Sequence, residues 1–199
     1  MKITKMRYLL LFFIPLLFIF DSCKKEEPSL KNYLYYDECQ YEIPKGFITT
    51  IDSHEHPELF AHIICLYSGT RNIVQSNDTL LITGEGDILL LTIYTLTEDI
   101  SNSTYNYAPI EELTPNTFQG LFIFEMKENC AEIFSIIKEG NLKIEKESSN
   151  YIISIDCIDI IDKELSGQYK GTLRIECVDN LKNIMFLENK YLFSHKQRH

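Results

Sequence analysis

The chain has 199 residues, 45% of them apolar and 24% charged, with a formal net charge of −10. That length suits one domain, and the apolar fraction excludes general disorder. The acidic balance, 29 Asp and Glu against 19 Lys and Arg, argues against nucleic acid as a partner.

Lys2, Lys5 and Arg7 make a positive start, and Tyr8 to Phe20 follow as thirteen residues that are all apolar or aromatic apart from Pro15. As a helix this segment reaches about 20 Å, short of the ~30 Å hydrocarbon core of a bilayer, so residues 1–22 are expected to be an export signal rather than a membrane span. Asp21-Ser22-Cys23 resembles the bacterial lipobox. The resemblance implies cleavage before Cys23 and lipidation of its thiol and new α-amine, with Asp21 departing from the usual small or apolar residue. Acyl chains then hold the protein to the membrane, each buried CH₂ contributing about 0.8 kcal/mol. Lys24-Lys25-Glu26-Glu27 looks like the charged signal that directs lipoproteins of Bacteroidota-type bacteria to the cell surface. Residues 23–32 then read as lipidated cysteine and tether, and 33–199 as one folded domain at the outer membrane, exposed at the cell surface or facing the periplasm.

Just past the tether stand Tyr33, Tyr35, Tyr36 and Tyr41. Tyr33 and Tyr35 share one face of an expected first strand. The group is the candidate ligand surface, because tyrosine joins a large apolar face to a polar tip. Asp52-Ser53-His54-Glu55-His56-Pro57-Glu58 is the candidate metal set. On a strand His54 and His56 point the same way, and Glu58 adds a carboxylate. The pattern resembles the His-x-His of cupins without their glutamate spacing, and it is not the His-Glu-x-x-His of zinc peptidases. Pro57 to Gly69 carries both helix-like spacing and a β-branched run at Ile63-Ile64; a strand is expected. Asp78-Thr79-Leu80 matches the short Asp-Thr-apolar acceptor for O-glycosylation in the same bacteria, which makes Thr79 a candidate modification site.

Gly84-Glu85-Gly86 reads as a turn rather than a nucleotide loop, since Leu89 stands where a third glycine would be needed. Asp87 to Thr95 is a continuous apolar run, expected to be a strand buried on both faces, and Leu121 to Glu125 is another strand. Asn141 to Lys146 alternates apolar and charged residues. Tyr151, Ile153, Ile155 and Cys157 then share a face, as do Tyr169, Leu173, Ile175 and Cys177 on a returning strand. A hairpin centred near Lys163 sets Cys157 against Tyr169 and Ile153 against Leu173. Asp156, Asp159 and Asp162 lack the glycine and final glutamate of a calcium loop and read as outward or strand-end acids. About nine strands in this rhythm predict an antiparallel β-sandwich, with few tight primed turns because there are only eight glycines.

Gly86-Asp87 with its apolar strand, Ser101 to Tyr107, the strand at Asn141, Tyr151 to Ile155, and Ser166-Gly167-Gln168-Tyr169-Lys170-Gly171 follow one another in an order that resembles small lipid-anchored β-sandwich lipoproteins of Bacteroidota. The likeness spans about Gly84 to Cys177, with Ser103 where glycine often precedes the Thr-Tyr pair. It implies the sandwich fold and brings no catalytic residues.

Five cysteines remain beyond Cys23: Cys39, Cys65, Cys130, Cys157 and Cys177. The number is odd, no Cys-x-x-Cys spacing occurs, and Cys157 and Cys177 read as buried thiols. Cys39 with Cys130 is the pair to test for a disulfide. The sequence thus predicts a non-enzymatic binding or accessory module of the outer membrane without a cofactor, anchored through Cys23, with a glycan or protein partner. The alternative is a small metal-dependent hydrolase using His54, His56 and Glu58.

Overall fold

The computed structural model describes residues 32–53, 56–76, 79–126 and 133–175. The expected export signal, Cys23 and the tether through Lys31 lie outside these, as do His54, Asp78, Cys130 and Cys177.

The fold is all-β. Its strands are β1 (Tyr33–Tyr36), β2 (Cys39–Glu42), β3 (Lys45–Asp52), β4 (Phe60–Tyr67), β5 (Asn72–Ser76), β6 (Thr79–Thr83), β7 (Gly86–Thr95), β8 (Ser103–Tyr107), β9 (Thr117–Met126), β10 (Ile133–Glu147), β11 (Asn150–Asp159), β12 (Glu164–Thr172) and β13 (Arg174–Ile175). β5 and β6 form a separate hairpin, and the other eleven make one curled sheet in the order β13-β3-β4-β7-β9-β8-β10-β11-β12-β1-β2. Pro57 to Gly69 contains a strand, as expected, because its β-branched centre pairs with β3 and β7 on either side.

The sheet is mixed where an antiparallel sandwich was expected. β8 runs parallel to the start of β9, because the chain from Ala108 through a short 3-10 turn at Ile110–Glu112 carries it back to the same end of the sheet. β13 runs parallel to β3. β10 joins the two halves of the sheet: Ile133–Ile136 pair with β9, whereas Asn141–Ile144 pair with β8. Between them the register slips at Ile137/Glu139, and Gly140 adopts a φ of 127°. A Cβ at Gly140 would stand 2.4 Å from the Asp156 carbonyl oxygen, so the corner requires glycine.

Curling brings the inner faces of both halves into one core. Ile64, Leu66, Leu89, Leu91, Phe118 and Phe122 of the first half are buried together with Leu142, Ile144, Ile153, Ile155, Leu165 and Tyr169 of the second. The opposite face of β3, β4, β7 and β9 holds a second cluster, including Phe47, Ile63, Cys65, Leu90 and Leu121, with Ile82 of β6 packed on it. β7 is therefore buried on both faces, as its unbroken apolar run predicts.

The β11–β12 hairpin forms as expected, but its register is four residues tighter. Cys157 faces Leu165 and Ile153 faces Tyr169, because a turn at Ile160–Lys163 closes directly on Asp159. The shift is even, so the inward set of β11 is unchanged: Tyr151, Ile153, Ile155 and Cys157 are all buried. Ile175 is not inward, being 76% exposed. β12 ends at Thr172, and the chain leaves β11 to pair with β3, so the alternation does not carry through. A tight primed turn does occur without glycine: Asp37 and Glu38, at φ 47° and 69°, close β1 onto β2. The Lys163 Nζ donates to Asp37 Oδ1 at 2.6 Å across that turn.

Candidate functional site

Period-two alternation splits the tyrosine cluster between two faces. Leu34 and Tyr36 of β1 point into the core, while Tyr33 and Tyr35 point out, Tyr35 being 41% exposed. Their rings meet edge to face with centroids 5.0 Å apart. A side-chain hydrogen bond with Tyr33, then partial burial, holds the Tyr35 phenol above its ordinary pKa. Tyr36 and Tyr41 instead pack on Phe122 and Phe124, with centroids 5.0 to 5.7 Å apart. Tyr36 is buried in the core and Tyr41 is half-buried against it, so both rings turn away from the face that carries Tyr33 and Tyr35.

Two cross-strand rows continue from the outward-pointing tyrosines. Tyr33 lies beside Gln168, then Ser154, then Lys143 and Thr104; Tyr35 lies beside Ser166, then Asp156, then Asn141 and Asn106. Gln168 Nε2 donates to Ser154 Oγ at 3.3 Å, which orients that pair. Neighbouring strands stand about 4.8 Å apart, so amide, hydroxyl and carboxylate groups recur on one sheet face next to an aromatic platform. Such a face can stack against an apolar ring face and hydrogen-bond the hydroxyls around it.

The metal candidates fall elsewhere. β3 ends at Asp52, and His56 sits in a turn where the Leu59 N–H donates to its carbonyl at 2.8 Å, not on a strand. His56 Nδ1 lies 3.7 Å from Glu58 Oε1, and His54 is outside the described residues. Among the described residues no group of three His, Cys, Asp or Glu side chains is gathered to hold a metal ion. Thr79 opens β6 beside the connection of the β5–β6 hairpin, paired with Ser76.

Cys39 is an exposed free thiol on the edge strand; its expected partner Cys130 lies outside the described residues. Cys65 and Cys157 are buried free thiols. Burial pushes the Cys65 thiol well up and that of Cys157 up to about 12, which leaves both un-ionised and inert at neutral pH.

Two polar clusters escaped the sequence reading. Asp159 is a strand-end acid, the last residue of β11, but it is fully buried. Its Oδ2 accepts from Tyr36 Oη at 2.7 Å and Ser135 Oγ at 2.5 Å, and its Oδ1 accepts from the Ile161 and Lys163 N–H groups at 2.9 and 2.8 Å. Burial alone raises its pKa, but the bonds from Ser135, Lys163, Tyr36 and Ile161 together outweigh burial and hold the carboxyl below the ordinary range. Tyr36 is pushed up to about 12, mainly by burial. His62 is the other case, 1% exposed on β4. Its Nδ1 meets Thr50 Oγ1 at 2.9 Å, and its Nε2 meets Thr95 Oγ1 at 2.7 Å and the Thr97 carbonyl at 3.2 Å. Burial lowers its pKa to about 4, against smaller raising contributions from Thr97 and Asp99. A lone histidine in an apolar run carried no signal of three threonine partners drawn from other segments.

The fold and these surfaces define an all-β protein built on one curled mixed sheet, with a polar face that carries an aromatic pair. Comparison with protein-family models, curated proteins and solved structures finds no match to this chain.

Proposed function

We propose that the protein is a non-enzymatic, lipid-anchored binding module of the outer membrane, displayed at the cell surface, whose ligand is a saccharide. The observation that carries this reading is the Tyr33–Tyr35 pair, solvent-facing and bordered by Gln168, Ser166 and Ser154. Both rings stay partly exposed on a polar sheet face, so the apolar area they leave uncovered is available to a ligand ring. Anchoring rests on Cys23 and the segment before it.

Thermal unfolding against a saccharide panel tests the binding claim. A ligand at 100 times its Kd stabilises by about 2.7 kcal/mol, a shift of several degrees at this size. Tyr33→Ala/Tyr35→Ala removes that shift and lowers the stability of the free protein by less than about 1 kcal/mol. A shift that survives in the double variant sinks the assignment of this face. Cys23→Ala abolishes fatty-acid labelling; normal labelling refutes the anchor.

A second reading, a metal-dependent hydrolase using His54, His56 and Glu58, draws support from the His56–Glu58 contact. Stoichiometric divalent metal retained after dialysis, and lost in His56→Ala, would favour it over the binding module.

A further inference from the structure

The chain is strongly acidic overall, yet positive charges converge at one place. An open cleft of about 610 Å³ lies between the start of β3 and the end of β12. Lys45, Lys170 and Arg174 line it together with Asn32 and Gly171, and none of its described lining residues is acidic. Topology produces the convergence. β12 ends at Thr172, the chain turns through Leu173, and β13 pairs in parallel with β3, so cations from three strands meet where the chain crosses.

The two lysines are not consumed by the fold. Lys170 is exposed and has no carboxylate within ion-pair distance among the described residues. Lys45 is exposed too, and among the described residues its Nζ has only the Gly69 carbonyl at 3.4 Å and the face of Tyr67 at 5.9 Å. Asn32 clamps the Lys170 backbone from both sides: its Oδ1 accepts from the Lys170 N–H at 2.7 Å, and its Nδ2 donates to the Lys170 carbonyl at 3.2 Å. The clamp fixes the strand that carries the ammonium and leaves the ammonium itself to solvent. The two exposed ammonium groups repel one another unless an anion enters.

The cleft also adjoins the tyrosine face. By alternation Lys170 shares the outward side of β12 with Gln168, the neighbour of Tyr33, and stands about 7 Å beyond it along the strand. Tyr169 and Leu173, the large apolar side chains of the lining, are buried, so the cleft presents polar surface and no bed for an acyl chain. Its volume falls within the range of small-molecule sites.

We propose that the cleft holds the acidic group, a carboxylate or sulfate, of a saccharide whose neighbouring ring lies on Tyr33; this rests on the saccharide-binding reading above and names the class of saccharide. The test titrates the full chain in detergent with tri-galacturonate, with tri-galactose as its neutral counterpart, and with monomeric uronic acids and inorganic sulfate and phosphate, followed by amide NMR shifts at Lys170 and Gly171. The acidic sugar is expected to bind at least roughly tenfold tighter than the neutral one at low salt. The preference should collapse by about 0.5 M salt. Lys45→Ala/Lys170→Ala removes the preference and leaves neutral binding unchanged, whereas Tyr33→Ala weakens both sugars. Equal binding of the acidic and neutral sugars, or a preference that survives in the double lysine variant, overturns the cleft and leaves the saccharide reading standing. Sulfate and phosphate perturbing the cleft as strongly as the sugar acids reduces it to a general anion site and overturns the proposal. No perturbation at Lys170 or Gly171 by any sugar acid overturns it as well, and failure of every sugar to bind sinks both readings.

Discussion

β4 and β7 bury almost every residue, whereas β11 buries every second one and β12 only Leu165 and Tyr169, both on one side, with the other side left open. The same curled sheet thus has a half covered on both faces and a half covered on one. The first half carries its second cluster, around Phe47, Cys65 and Leu90, on the face opposite the shared core. The second half carries Tyr33, Gln168, Ser154 and Lys143 there instead. Side chains in the first half are committed to packing, so the proposed ligand is assigned to the open face of the second. Asp159 ties the halves together: it holds the Tyr36 hydroxyl, and the Tyr36 ring packs on Phe122 and Phe124 of β9.

The largest effect should come from breaking that tie. Asp159→Ala strands two buried hydroxyls and two backbone N–H groups, and about 4 kcal/mol of stability should be lost in urea unfolding. A loss below about 1 kcal/mol would mean that the halves hold together without it. The contrast itself is sharpened by three substitutions. Leu90→Ala, on the second face of the doubly covered half, should cost about 3 kcal/mol, as should Ile153→Ala on the inner face of the other half. Asp156→Ala, on the open face, should stay within about 0.5 kcal/mol. An equal cost at Asp156 would show the open face to be covered.

His62 gives the doubly covered half a pH signature. Its folded pKa, about 4, lies below the ordinary value of 6.5, so the unfolded chain binds the proton more tightly. Its contribution to stability is complete above pH 6.5 and falls as the pH drops toward 4, a loss of roughly 2 kcal/mol between pH 7 and pH 5. Denaturation at a series of pH values should show that slope, and His62→Gln should flatten it. The smallest effect is chemical and touches no stability. Alkylation of the native protein, mapped by peptide mass spectrometry, should modify Cys39 and spare Cys65 and Cys157. Ready modification of Cys65 would mean that the doubly covered half opens in solution.

Much of this contrast was written in the residue pattern. The run Ile88-Leu89-Leu90-Leu91 announces burial on both faces because no position is left polar for water, and Leu142-Lys143-Ile144-Glu145 announces one wet face. The inward set of β11 followed from the same period. The tyrosines at 33 and 35 were legible as one face of a strand, but which face met solvent was not, nor that Tyr36 lies in the core with Tyr41 half-buried against it.

What the sequence determined by itself is therefore local: strand identity, the alternation along each strand, and the signal-like start with Cys23, all of which depend on residues a few positions apart. Tertiary structure alone decided what depends on distant segments meeting. The corner at Gly140 sends one strand to two partners, and the parallel pairing of β13 with β3 turns Ile175 outward. The same meeting of distant strands buries Asp159 under Tyr36 and Ser135, surrounds His62 with threonines, and gathers Lys45, Lys170 and Arg174 around one cleft. Charges and hydroxyls carry no period that names their partners, and their energies are set by neighbours that only the closed sheet supplies.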